Sequence, residues 1–75
     1  MYWKQKPNLT NNVEAIRKRL KLTQQELALR CGVTRQTIIA IEKGNYVPSV
    51  ALALNLSREL HTKIEKLFML TGEDS

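Results

Sequence analysis

The chain has 75 residues, of which 43% are hydrophobic and one is cysteine, and its formal net charge is +5. This length predicts one domain near the lower limit of what a single hydrophobic core can stabilise, and a lone cysteine excludes an internal disulfide. Because no apolar run reaches roughly 18 residues and the N-terminus lacks the apolar segment of a signal peptide, we expect a cytoplasmic protein with no membrane partner.

The positive charge is concentrated in the first part of the chain. Residues 1–46 contain nine Lys or Arg and three Glu, a net charge of +6, whereas residues 47–75 contain three basic and four acidic residues, a net charge of −1. This asymmetry is compatible with a polyanion that contacts the first part, although ordinary solvated surface charge would give the same count.

The first predicted helix covers residues 12–20. Val13, Ile16 and Leu20 recur at the spacing of one helix face, and Asn11 precedes them as a candidate N-cap.

Two further short helices follow closely along the chain. Thr23 and Glu26 form the pattern of a capping box, and the helix that they start is expected to end at Gly32. Thr34 is a candidate N-cap for a third helix, which is expected to stop at Gly44. The three residues between the two helices leave room only for a tight turn.

A fourth helix is expected to start at Pro48 and Ser49 and to be apolar on nearly all sides. The alternation of leucine at 52, 54 and 56 also fits a strand, but the intervening alanines favour a helix.

Thr62 and Glu65 repeat the capping-box pattern and predict a short fifth helix. The domain organisation then consists of a flexible extension at 1–8, a domain at 9–70 and a loose tail at 71–75. The expected fold class is an all-α, compact five-helix domain.

Residues 24–43, with the sequence QQELALRCGVTRQTIIAIEK, resemble the helix-turn-helix unit of the phage-repressor and Cro-like family, also called XRE. The flanking segments IRKRLKLTQ, IEKGNYVPS and ALALNLSREL occur in the order and spacing of that family, so the resemblance covers about residues 12–68. It implies a lambda-repressor-like DNA-binding domain whose third helix is the recognition helix.

The outward face of the third helix carries the side-chain types that read base edges. At about 100° per residue, Ile38 and Ile41 point inward and leave the opposite face free. Arg can bond guanine, Gln can bond adenine, and Ala or Thr can contact a thymine methyl. We assign base readout to Arg35, Gln36, Thr37 and Ala40. The alternative is that these side chains only keep a surface solvated.

The resemblance also implies contacts to the DNA backbone and one structural ion pair. Residues at the start of the second helix and after the third helix are expected to contact phosphates, and the set is Gln24, Lys43, Asn45 and Tyr46. Matching residues of the family form a partly buried ion pair, so we expect Arg17 and Glu42 to join the first and third helices. The alternative for this pair is two solvated charges.

A homodimer is expected, because two recognition helices about 34 Å apart can enter successive major grooves. Its candidate contacts are the fifth helix and the apolar run Leu67, Phe68, Met69 and Leu70, unless the first two of these residues only close the core of a monomer.

The sequence thus predicts a transcriptional regulator, and specifically a repressor that binds a double-stranded DNA operator. The alternative is an antitoxin or another helix-turn-helix protein that mainly binds a protein partner. One His and one Cys cannot complete a zinc site, and no catalytic set is evident, so neither an enzyme nor a metal or cofactor is expected.

Overall fold

The structure, a computed structural model, describes residues 8–71, which form five helices and two short strands. In chain order the elements are β1 (Asn8–Asn11), α1 (Val13–Arg19), α2 (Gln24–Cys31), α3 (Arg35–Glu42), α4 (Val50–Glu59), α5 (Ile64–Leu67) and β2 (Phe68–Thr71). None of the helices within residues 8–71 is long and apolar enough to cross a membrane.

The two strands pair with each other, so the expectation of an all-α fold is wrong in this respect. They form an antiparallel ladder in which Asn8 faces Thr71 and Asn11 faces Phe68. Asn8 had been placed in the predicted extension and Thr71 in the predicted tail. The rest of these two segments, 1–7 and 72–75, lies outside the described residues. The ladder forms because two segments some sixty residues apart satisfy each other's backbone hydrogen-bonding groups. A segment of four residues carries no local pattern that predicts such a pairing.

The core lies between the helices and is closed by α5. The largest fully buried side chains are Val13, Leu27, Ile38, Ile41, Leu56, Leu60 and Leu67. Every helix therefore contributes at least one residue to the core. Cys31 is also buried, and this burial raises the pKa of its thiol.

Two of the predicted helix starts are wrong in detail. The N-cap residue of α1 is Asn12, not Asn11, although the Oδ1 of Asn11 accepts a hydrogen bond from the N–H of Val13 at 3.0 Å. The fifth helix has no capping box, because its N-cap is Lys63 and the hydroxyl of Thr62 donates instead to the carbonyl of Leu60 at 2.9 Å. With α5 only one turn long, its position is set by packing and not by a cap.

Several helices end in the left-handed backbone conformation. Gly32 and Gly44 have φ of +71° and +78°, a region that glycine enters without steric strain. Lys21 and His61, which follow α1 and α4, also have positive φ, at 61° and 51°. A side chain with a Cβ is strained there, so these two turns are held by the packing on either side.

The sequence had suggested a fourth helix that is apolar on nearly all sides, but only one of its faces packs against the core. It buries Leu52, Ala53 and Leu56, while Val50 is 74% exposed and Leu54 is 54% exposed. A ten-residue helix on the rim of a small domain can bury only one face, and its remaining apolar residues therefore contact solvent.

Candidate nucleic-acid interface

The α2–α3 unit is a helix-turn-helix whose geometry is fixed by its caps. Thr23 and Glu26 form the predicted capping box, with hydrogen bonds of 2.8 and 3.0 Å between each side chain and the other residue's N–H. Gly32 ends α2 in the left-handed conformation, and the side chain of Thr34 accepts a hydrogen bond from the N–H of Thr37 to start α3. Three residues therefore suffice to join the two helices.

The inner faces of both helices are buried in the same core. Leu27 and Ala28 of α2 and Ile38 of α3 are completely buried, and Ile41 is 1% exposed. Because these side chains fix one face of α3 against α2, its opposite face is presented to solvent as a rigid surface.

The four residues predicted to read bases all lie on α3, with different degrees of exposure. Arg35 and Gln36, in the first turn, are exposed, whereas Thr37 and Ala40 are half-buried. The hydroxyl of Thr37 lies 3.1 Å from the hydroxyl of Thr34 and so takes part in the cap of the helix. Arg35 and Gln36 are consequently the longest side chains available at the solvent-facing start of this helix.

Lys43, Asn45 and Tyr46 follow α3 and are all exposed. They lie at the turn where the chain leaves the helix, with the N–H of Asn45 bonded to the carbonyl of Ala40 at 2.9 Å and Gly44 in the left-handed conformation. The turn thus holds three polar or aromatic side chains at the C-terminal end of the recognition helix.

Arg17 and Glu42 form a buried ion pair between α1 and α3. The Nε of Arg17 lies 2.6 Å from Oε2 of Glu42, its Nη2 lies 3.2 Å from Oε1, and its Nη1 donates to the carbonyl of Leu22 at 2.9 Å. The two side chains are only 8% and 4% exposed. Hydrogen bonding to the carboxylate raises the pKa of the Arg17 guanidinium against the opposing effect of burial.

Two further contacts at this site have no signal in the sequence. The Nε2 of Gln24, which had been assigned to a phosphate, donates to Oε1 of Glu42 at 3.0 Å. The Nδ2 of Asn11 donates to the carbonyl of Ile41 at 2.9 Å. Both bonds end on the last residues of α3, and their partners are 18 and 30 residues away along the chain. Only the tertiary fold brings them together, so no spacing rule could have found them.

Two glutamates on α1 and α2 have carboxyl groups whose pKa is lowered by their neighbours. The N–H and hydroxyl of Thr23 hold the pKa of Glu26 below its ordinary value, which keeps a negative charge in the first turn of α2. On α1, the Lys18 ammonium lies 3.0 Å from the carboxylate of Glu14 and lowers the pKa of that group. The exposed cations of residues 8–46 are Lys18, Arg19, Lys21, Arg30, Arg35 and Lys43.

The predicted dimer contacts fall into two groups. Leu67 is completely buried within the chain, so its assignment to a dimer surface is wrong, and it closes the core of the monomer instead. Phe68 is half-buried and packs against that core. Met69 is half-buried and Leu70 is 70% exposed, so only the outer part of the apolar run remains available to a partner.

Comparisons with known proteins agree with this geometry. A family model described as helix-turn-helix matches residues 13–67. A helix-turn-helix-type transcriptional regulator of Bacillus subtilis, YgzD, is 44% identical over 66 residues, which cover 88% of this chain and all of the relative. A regulator of the same type from Methanothermobacter thermautotrophicus is 60% identical over 55 residues, which cover 72% of this chain and 80% of the relative.

Among solved structures, the restriction-modification controller protein C.AhdI of Aeromonas hydrophila superposes with a TM-score of 0.69. The match covers 73% of this chain and 83% of the controller protein, at 24% sequence identity. A likeness at this level of identity concerns the fold, and it shows that the helical arrangement described above occurs in a known controller protein.

Proposed function

The chain belongs to the helix-turn-helix family of transcriptional regulators, and from this premise we propose that it is a repressor that binds a specific double-stranded DNA operator. In this proposal α3 enters the major groove with its first turn foremost. Occupation of the operator then blocks access of the transcription machinery to a promoter.

One observation carries the proposal. Arg35 and Gln36 are exposed at the start of a helix whose other face is anchored by the fully buried Ile38 and the almost fully buried Ile41. Readout of base edges needs long hydrogen-bonding side chains on a rigid helix, because each bidentate pair discriminates by about 1–3 kcal/mol only when its geometry is held. Thr37 and Ala40 complete the reading surface through apolar contact with thymine methyl groups.

A second set of residues is proposed to contact the sugar-phosphate backbone. Gln24 lies at the start of α2, where the helix dipole favours an anion, and Lys43, Asn45 and Tyr46 lie just after α3. Such contacts set affinity and register and carry no sequence information of their own. The net charge of +6 in residues 1–46 supports a polyanionic partner for this part of the chain.

We also propose that the protein acts as a twofold homodimer. A dimer presents two recognition helices to successive major grooves, and the outer residues of β2, Met69 and Leu70, are the proposed contacts. Light scattering at tens of micromolar protein should then give twice the chain mass of 8.6 kDa. A single-chain mass under those conditions contradicts the dimer but leaves binding of one half-site intact.

The experiment begins with selection of bound fragments from a random pool of duplex DNA, which yields the operator and the spacing of its half-sites. Affinity is then measured by fluorescence anisotropy for the selected duplex and for an unrelated duplex. Arg35→Ala combined with Gln36→Ala should lower the affinity for the selected duplex by about a hundredfold, with much less effect on the unrelated duplex. Equal binding by wild type and the double variant contradicts direct readout by α3.

Lys43→Ala is the matched control for the backbone contacts. Because a phosphate contact does not depend on the base sequence, this variant should weaken binding to both duplexes alike. It should also reduce the slope of log affinity against log salt by about one charge. A loss of affinity confined to the selected duplex would mean that Lys43 takes part in base readout and not in a phosphate contact.

A further inference from the structure

The carboxylate of Glu42 joins three helices at one point. Its two oxygens accept hydrogen bonds from Arg17 of α1 and from the Nε2 of Gln24 at the start of α2, while Glu42 itself is the last residue of α3. The carboxylate is 4% exposed. The Gln24 side chain, which is half-buried, therefore lies between this anion and the solvent.

This arrangement fixes the direction of the Gln24 amide. Only the nitrogen end of a carboxamide can donate, so the carboxylate selects that end and takes one of its two protons. The second proton of the same nitrogen points about 120° away from the first and forms no hydrogen bond within residues 8–71, so it can donate to another group. A single amide nitrogen can thus bridge a buried carboxylate and a second anion outside the protein.

We propose that Glu42 is the positioning residue for the phosphate contact of Gln24. This inference rests on the proposed function, and it adds that the rotamer of Gln24 is set before DNA arrives. Ordering a free glutamine side chain costs conformational entropy, and in this arrangement that cost belongs to folding and not to binding. Because Glu42 ends the recognition helix, the same bond fixes the phosphate contact relative to the reading surface.

The amide also separates two negative charges. Without the Gln24 side chain, a DNA phosphate at the start of α2 would approach the carboxylate of Glu42 with no Gln24 donor between the two anions. Loss of the Gln24 side chain should therefore weaken binding through both the missing hydrogen bond and the exposed anion. Gln25, the next residue, is exposed and forms no side-chain hydrogen bond within residues 8–71, so it serves as the matched control.

The first test examines the free wild-type protein by NMR. The side-chain NH2 group of Gln24 should be ordered, with an order parameter near that of rigid backbone, whereas that of Gln25 should be mobile. Equal mobility of the two glutamines overturns the proposal. This measurement needs no substitution at Glu42, and it decides the question even where a variant of that residue does not fold.

The second test is a double-mutant cycle on DNA affinity, measured on the selected duplex. Gln24→Ala should lower affinity about tenfold in the wild-type background, because hydrogen bonds to charged groups are the strong ones, and Gln25→Ala should change it less than twofold. In the background of Arg17→Leu with Glu42→Leu, which has no acceptor at residue 42 and whose folding is verified by circular dichroism, Gln24→Ala should change affinity less than threefold. An equal loss in both backgrounds means that Glu42 does not position Gln24.

The two proposals fail in different ways. If Gln24→Ala has no effect while the Arg35 and Gln36 double variant loses its operator, the repressor proposal stands and the positioning role is overturned. If the wild-type protein binds no duplex DNA, both are overturned, even where the NMR test finds Gln24 ordered.

Discussion

Replacement of Glu42 by leucine should remove most of the stability of this domain. The substitution leaves the Arg17 guanidinium, in a side chain only 8% exposed, with one remaining hydrogen-bond partner within residues 8–71, the carbonyl of Leu22. Breaking a buried ion pair on one side costs about 3–5 kcal/mol, since an uncompensated charge stays in the interior. Native proteins have roughly 0.05–0.15 kcal/mol of stability per residue, or about 4–11 kcal/mol for 75 residues, so a loss of this size approaches the lower end of that total.

Urea denaturation followed by circular dichroism measures the effect. With a slope of about 1 kcal/mol/M for a small domain, the midpoint should move down by about 3 M or more. The double variant Arg17→Leu with Glu42→Leu removes both charges and should recover most of the loss, because two apolar side chains can fill the same volume. Glu14→Gln is the control, since the Glu14–Lys18 pair is largely exposed and should contribute little.

Two outcomes would refute this reasoning. A loss of less than about 1 kcal/mol for Glu42→Leu would mean that the pair behaves as a solvated surface pair. A double variant that is less stable than either single variant would mean that the two charges contribute independently and not as a pair. The effect should also persist at 0.5 M salt, because the pair is shielded from mobile ions.

Two smaller predictions concern single residues at helix ends. The pKa of Glu26 is lower in the folded protein than its unfolded value of about 4.3, so its charge stabilises the fold above that value. This contribution is lost as the pH falls through the folded pKa. The difference in Tm between wild type and Glu26→Gln should therefore be largest at neutral pH and shrink steadily as the pH falls below about 4.3. A constant difference across that range would contradict the charged capping box. His61→Gly should raise the free energy of unfolding by about 0.5–1 kcal/mol, or Tm by about 4 °C, because φ is 51° at this position. His61→Ala keeps the strain and should give no such gain.

The sequence predicted those features that depend on neighbouring residues. The capping box of Thr23 and Glu26, the left-handed exit at Gly32 and the cap at Thr34 each involve partners within four positions, and each is present in the structure. The helical spacing of Ile38 and Ile41 fixed the inner face of α3 for the same reason. The order of the helices followed from these local signals, and the family followed from the resemblance of residues 24–43 and their flanking segments to known helix-turn-helix proteins.

The features that the sequence did not predict all depend on contacts between distant segments. The ladder between Asn8–Asn11 and Phe68–Thr71 pairs residues about sixty positions apart. Without that pairing in view, the apolar residues at 67–70 were interpreted as a dimer surface. Burial alone decided that Leu67 belongs to the core and that Leu70 does not.

The recognition helix illustrates how the two kinds of information combine. Its inner face and its first residue are set locally, but its C-terminal end is held by long-range hydrogen bonds from three residues. Asn11 donates to the carbonyl of Ile41, and Arg17 and Gln24 donate to the carboxylate of Glu42. An eight-residue helix has too few internal hydrogen bonds to remain rigid alone. The precision of any base contact by Arg35 or Gln36 thus depends on residues that do not touch DNA, and variants of Asn11 should weaken sequence discrimination more than they weaken binding to unrelated duplexes.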